Sequence, residues 1–208
     1  MVFNVNYTLT TNCNMSCPDC CAGITAMPKT RRGFVTWDYI VNSSKYLQGL
    51  GINITGGEAS IHPRFEEFVP KLKKLFNTPV LSTWTNGTTL KKKAESFRYF
   101  DIIYISHYTK DSFEGSPDNT ENIEFIKNYL KDTDLRVDEV THKQQNNNSG
   151  MCERATVNSG TIEVVYGRVY PCCTSSGLPT KTSIPLNKDW KEKILTIKPP
   201  CHECVFAI

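Results

Sequence analysis

The sequence predicts an α/β fold with parallel strands, on three observations. Short apolar segments alternate with longer amphipathic ones from residue 2 to residue 141. The intervening segments are long enough for right-handed helical crossovers, which parallel strands require. The glycine-rich and cysteine-rich stretches fall just after predicted strands, where parallel α/β sheets hold their ligands.

Val2 to Leu9 alternates apolar and polar side chains, as a half-buried strand does, and delivers a cysteine-rich loop at its end. Ile24 to Phe34, with Pro28 and the pair Arg31-Arg32, predicts an irregular excursion. Thr36 can cap a helix over Trp37–Leu50, whose Tyr39, Ile40, Tyr46, Leu47 and Leu50 give the inward face and which Gly49 and Gly51 stop. There follow strand Ile52–Thr55, helix Pro63–Phe76, strand Pro79–Trp84, helix Leu90–Phe97, strand Asp101–His107, helix Glu121–Lys131 and strand Leu135–Thr141. That makes five strands of βα type, with room for an abbreviated sixth. Residues 144–150, Gln-Gln-Asn-Asn-Asn-Ser-Gly, offer no apolar side chain to bury and mark a linker between a domain at 1–143 and a smaller one at 151–208. Within the latter, Thr161–Tyr166 and Arg168–Tyr170 around Gly167 predict a β-hairpin.

Composition narrows the classes. An apolar content of 39% and a charged content of 22% are globular values for one domain, or one with a small appendage. A net charge of +3 is too small for an electrostatic grip on nucleic acid, and the lysines at 71–74 and 91–93 read as solvated helix faces. No apolar run approaches membrane-spanning length, so a cytoplasmic protein is expected. The nine cysteines fall in two groups separated by a cysteine-free stretch from Ala22 to Met151, which favours two metal sites over a disulfide framework.

The first group is Cys13-x3-Cys17-x2-Cys20. Three thiols on one loop can hold an iron-sulfur cube while leaving one iron open, or can form part of a zinc site. Gly56-Gly57-Glu58 follows the apolar run Gly51–Thr55, while Thr85-Asn86-Gly87 and Ser106 close later strands. This set resembles the radical S-adenosylmethionine (SAM) superfamily, with its C-x3-C-x2-C loop after the first strand and its GGE motif after the second. The resemblance implies a partial, open (β/α)6-type barrel and a [4Fe-4S] cluster held by Cys13, Cys17 and Cys20. SAM would chelate the open iron and be cleaved reductively to a 5′-deoxyadenosyl radical. A donor such as flavodoxin or ferredoxin would supply the electron. Gly56 and Gly57 would let the backbone approach SAM, and Glu58 would meet its methionyl amino group, although acidic residues beside glycines are also ordinary turn formers. Asn86 and Ser106 would face the same cavity, where satisfied loop polar groups are the alternative. The family usually has an aromatic residue just before the third cysteine, whereas this chain has Asp19, so no adenine contact is assigned. Cys21 reads as a small packed side chain.

The second group is Cys152, Cys172, Cys173, Cys201 and Cys204. Cys152, then Gly167-x4-Cys172, then Cys201-x2-Cys204 resembles the Twitch extension, a shortened relative of the SPASM domain with one auxiliary [4Fe-4S] cluster. The resemblance makes Cys152, Cys172, Cys201 and Cys204 its ligands in a cysteine-rich β-hairpin extension, with Cys173 and His202 spare. The spacer between Cys152 and Cys172 is slightly longer than usual. A four-cysteine zinc knuckle is the alternative.

The resulting expectation is an enzyme that abstracts hydrogen from a small-molecule or peptide substrate. Twitch enzymes include a dehydrogenase of an aminocyclitol alcohol, which ranks dehydrogenation first, with the auxiliary cluster as electron acceptor. Epimerisation, isomerisation, peptide crosslinking and nucleoside tailoring stay open within the superfamily. A zinc-stapled binding module without catalysis is the expectation from another class.

Overall fold

A computed structural model describes residues 4–18, 20, 24, 29–141, 160–171 and 183–197. The fold is α/β, with one mostly parallel, unclosed sheet of eight strands. In chain order the elements are β1 (Asn4–Thr10), α1 (Trp37–Ser44), β2 (Gly51–Gly56), α2 (Phe65–Phe76), β3 (Leu81–Thr85), α3 (Ala94–Phe97) and β4 (Ile102–His107). Then come α4 (Thr120–Leu130), β5 (Arg136–Thr141), β6 (Thr161–Val165), β7 (Arg168–Tyr170), β8 (Ile184–Pro185) and α5 (Trp190–Ile194). The sheet order is β5-β4-β3-β2-β1-β6-β7-β8, parallel from β5 to β6 and antiparallel beyond.

Period-2 patterning divides the two faces of the sheet. Val5, Tyr7, Ile52, Ile54, Ile103 and Val164 lie on one face, and the buried side chains of all five helices join them in one core. Helix α2 contributes Phe65, Phe68, Leu72 and Phe76, an i, i+3, i+7, i+11 stripe. The opposite face is polar. Asn53 Nδ2 donates to Asn6 Oδ1 at 2.9 Å, and Ser82 Oγ donates to Asn53 Oδ1 at 3.1 Å, linking three strands. Thr8 Oγ1 and Thr55 Oγ1 donate to Glu163 Oε1 at 2.9 and 3.4 Å, so a carboxylate on β6 is buried against β1 and β2. Trp84 stacks on Tyr104 with centroids 5.4 Å apart, and its Nε1 donates to Ser106 Oγ at 2.8 Å.

Several elements are shorter than their patterns predict. Helix α1 begins at Trp37 with Thr36 as its cap, but ends at Ser44. Ser43 Oγ donates back to the Tyr39 and Ile40 carbonyls and Ser44 Oγ to that of Val41, a competition that weakens continuation of the helix. Only Ala94–Phe97 of the predicted 90–97 helix is α-helical, the preceding residues forming turns. The hairpin around Gly167 is present as β6 and β7, and β6 also pairs in parallel with β1, Asn4 opposite Thr161. The linker at 144–150 lies outside the described residues. Among the described residues, no helix is long and apolar enough to cross a membrane.

Candidate functional site

The site begins where β1 ends. Its ladder with β2 shifts register between Thr8 and Thr10, and Thr10 bridges Phe34 in antiparallel fashion. Thr11 N donates to Gly33 O at 3.0 Å, Gly33 N to Thr11 Oγ1 at 2.8 Å, and Thr10 Oγ1 to Gly33 O at 2.7 Å. These bonds satisfy the backbone as the chain leaves the sheet and fix the start of the cysteine loop.

Gly56 and Gly57 press against that loop from the neighbouring strand. Gly57 N donates to Thr10 O and Glu58 N to Asn12 O, both at 2.9 Å. A Cβ on Gly56, where φ is +144°, would lie 2.0 Å from Thr10 O, and one on Gly57 would lie 2.2 Å from Asn12 O. The two glycines are therefore demanded by backbone-to-backbone packing within the protein.

Glu58 is buried, and its carboxylate ties two loops together. Oε1 accepts from Ser60 N at 3.1 Å, from Ser60 Oγ, and from Thr85 Oγ1 at 2.9 Å. Oε2 accepts from Asn86 N at 2.7 Å. Burial raises the carboxyl pKa, against the lowering effect of these bonds.

Asn86 extends the network to the cysteines. Its Nδ2 donates to Asn14 Oδ1 at 2.9 Å and stands 3.9 Å from Cys13 Sγ. Its Oδ1 accepts from Thr88 N and Thr88 Oγ1, and Thr88 Oγ1 accepts from Asn14 Nδ2 at 2.8 Å. Ser106 is buried; its Oγ accepts from Trp84 Nε1 at 2.8 Å, and its side chain also hydrogen-bonds the Tyr108 hydroxyl. From the position just after β4, the Tyr108 hydroxyl stands 3.8 Å from Cys17 Sγ.

Cys13 and Cys17 wall a cavity of about 290 Å³, with Met15, Ser16, Pro18, Ile24 and Arg32. Arg32 Nη2 donates to Ile24 O at 2.8 Å across its rim. Burial pushes the Cys13 thiol up to about 11, with smaller upward contributions from Glu58, Cys17 and Cys20, while a hydrogen bond from Met15 N opposes it. Among the described residues, no three His, Cys, Asp or Glu side chains converge on a point that would hold a single metal ion. Asp19 and the residues of the second group, Cys152, Cys172, Cys201 and Cys204, lie outside the described residues, as do Cys21, Cys173 and His202.

Tyr108 and Asn119 complete this region without belonging to any motif recognised in the sequence. Tyr108 directly follows β4, as Gly57 directly follows β2 and Asn86 directly follows β3. Asn119 precedes a helix and would read as its cap, yet its side chain makes no cap bond and instead bridges the loops after β3 and β4.

No protein-family model matches the chain. The fold is similar to that of BtrN in a crystal structure in complex with AdoMet and 2-DOIA, with a TM-score of 0.68 and 12% identity over 100% of this chain and 92% of that one. It is also similar to BtrN in an open conformation, with a TM-score of 0.57 and 13% identity over 100% and 91% of the two chains. In sequence, the chain is 33% identical over 109 residues to the protein YfkA of Bacillus subtilis (strain 168). That match takes in 50% of this chain and 29% of YfkA, so the chain matches less than a third of that relative's length.

Proposed function

We propose that this protein is a radical SAM enzyme whose open sheet is a partial (β/α)6-type barrel. Its first [4Fe-4S] cluster would be held by Cys13, Cys17 and Cys20. The observation that carries the reading is the cavity at the end of β1, walled by Cys13 and Cys17 and flanked by the Gly56-Gly57-Glu58 loop. Support comes from the fold, which is similar to that of a protein crystallised with AdoMet.

The residues present fit such a cluster. The donors are three soft sulfur atoms from one loop, the ligand type that iron-sulfur clusters take. Backbone Met15 N donates to Cys13 Sγ at 3.4 Å, and Asn86 Nδ2 and the Tyr108 hydroxyl stand within hydrogen-bonding reach of two ligand sulfurs, as thiolates require. When bound, a cube with one open iron supplies a coordination site for SAM and the electron that cleaves it.

The chain's own groups supply position and shelter. The Gly56-Gly57 backbone holds the cysteine loop in register with β2, and Glu58 locks the Gly56-Gly57 turn to Thr85 and Asn86. The polar face opposite the helices, with Asn53, Ser82, Glu163 and the Trp84–Tyr104 pair, would receive a polar small molecule or a peptide. Hydrogen abstraction followed by oxidation is favoured, with a Twitch-like auxiliary cluster at Cys152, Cys172, Cys201 and Cys204 as acceptor.

Anaerobic reconstitution tests the reading. A coloured protein containing iron and sulfide should convert SAM to 5′-deoxyadenosine in the presence of a reductant. Cys17→Ala should abolish that product, because the cluster loses one of only three protein ligands. A colourless protein containing zinc alone, or near-normal 5′-deoxyadenosine from Cys17→Ala, overturns it.

A further inference from the structure

Two of the cysteine sulfurs are approached by hydrogen-bond donors from separate loops, and one buried side chain joins those loops. Asn86 Nδ2 stands 3.9 Å from Cys13 Sγ, and the Tyr108 hydroxyl 3.8 Å from Cys17 Sγ. Asn119, only 1% exposed, donates through Nδ2 to Asn86 O and to Ser106 O, both at 2.8 Å, and accepts from Tyr108 N through Oδ1 at 2.9 Å. Its own N–H donates to Tyr108 O at 3.1 Å, so residues 108 and 119 are bonded in both directions. The fit around it is tight. Gly87 has φ of +77°, and a Cβ there would lie 2.7 Å from Asn119 Nδ2.

We propose that Asn119 is a positioning residue that sets the reduction potential of the cluster at Cys13, Cys17 and Cys20, by holding Asn86 and Tyr108 against two of its ligand sulfurs. The proposal rests on the radical SAM reading above. Cluster ligands are thiolates, which only accept, so the Tyr108 hydroxyl donates to Cys17 Sγ in the loaded protein. A reduced cluster is more negative than an oxidised one, so donors to its sulfurs stabilise the reduced form and raise the potential. Asn119 touches neither sulfur and acts through the two loops that carry the donors. Its carbonyl partners belong to Asn86 itself and to Ser106, two residues before Tyr108, which is why its loss would move both donors.

The test is an anaerobic redox titration of the reconstituted protein, following the reduced-cluster signal that changes when SAM is added. Tyr108→Phe removes the hydroxyl that meets Cys17 Sγ and the Ser106 side chain while keeping the ring packed on Phe113, and iron content is measured alongside to show that the cluster is loaded. At a fixed potential near the wild-type midpoint, its reduced-to-oxidised ratio should fall about tenfold, equivalent to ~59 mV for a one-electron couple. Asn119→Ala, also uncharged, should shift the potential in the same direction. A wild-type midpoint in Tyr108→Phe with its cluster intact overturns the proposal, and this variant decides even if Asn119→Ala does not fold. A folded Asn119→Ala with a wild-type midpoint overturns the role of Asn119. A wild-type protein that assembles no cluster overturns the underlying reading instead, and iron analysis alone makes that distinction.

Discussion

Replacing Glu58 with alanine removes the acceptor for two backbone donors, Ser60 N and Asn86 N, and for the hydroxyls of Ser60 and Thr85. The hydroxyls have other contacts, since Ser60 Oγ also meets Thr89 Oγ1 and Thr85 Oγ1 accepts from Gly87 N. The two backbone N–H groups carry most of the loss, at roughly 1–3 kcal/mol for each buried donor left unsatisfied. Removal of a buried carboxylate also relieves its desolvation, so the net destabilisation expected is about 2–4 kcal/mol. Denaturant unfolding of the reduced, metal-free protein measures it. The pH dependence gives the sign. Because burial raises the folded-state pKa of Glu58, the native protein retains this proton over a window in which the unfolded chain has lost it. Wild-type stability from this group is therefore full below the ordinary carboxylate range and declines as pH rises toward the folded pKa. The deficit of Glu58→Ala should be largest in acid and narrow as pH increases. A deficit that widens with pH, or one below about 0.5 kcal/mol at every pH, refutes the reasoning, since surface-like behaviour has that size.

Gly57→Ala should cost about 3 kcal/mol, because its Cβ would lie 2.2 Å from Asn12 O, a backbone atom with little freedom to yield, and a wild-type unfolding midpoint would show that the loops separate easily. In the metal-free protein, alkylation of Cys13 followed by peptide mass spectrometry should accelerate with pH up to about 11, since burial holds the thiol protonated, and a plateau near pH 8.5 would contradict that. Changing Cys201 and Cys204 together to alanine should halve the iron and sulfide of the reconstituted protein, whereas unchanged iron with lost zinc would assign those cysteines to a knuckle. Once SAM binding is measurable, Glu58→Gln tests the expected ammonium contact directly, and unaltered affinity would confine Glu58 to the loop network.

The parallel core was legible because β1 and β2 alternate apolar and polar residues, β4 is a short apolar run, and longer amphipathic segments separate the strands, so pattern and order were enough. The place of β6 was not. Residues 161–165 read as one arm of a hairpin, and nothing local in Thr161–Val165 signals parallel pairing with a strand at the other end of the chain. Helix α1 was overextended because Leu47 and Leu50 keep helical spacing and are both buried, though they reach the core from turns after Ser44. At the site, Cys13, Cys17, Gly56, Gly57, Glu58 and Asn86 do gather in one network. The sequence did not show that the glycines meet backbone or that the Glu58 carboxylate is internally satisfied. Asn119 was illegible because a single asparagine before a helix has one obvious use, and this one serves another.

The pairing of Asn4 with Thr161 also bears on how the chain acquires its shape. β2 to β5 join partners close in sequence, so their ladders can form while the chain is still short. β6 must find β1 across more than 150 residues, from Asn4 to Thr161, a contact of high sequence separation that is entropically slow. Until it docks, the β1 edge and the hydroxyls of Thr8 and Thr55 stand open to solvent, and Glu163 has no place to be buried. During synthesis the cysteine loop therefore emerges on an unfinished edge, and a fragment ending before residue 160 should present an aggregation-prone strand where the intact protein has a paired one.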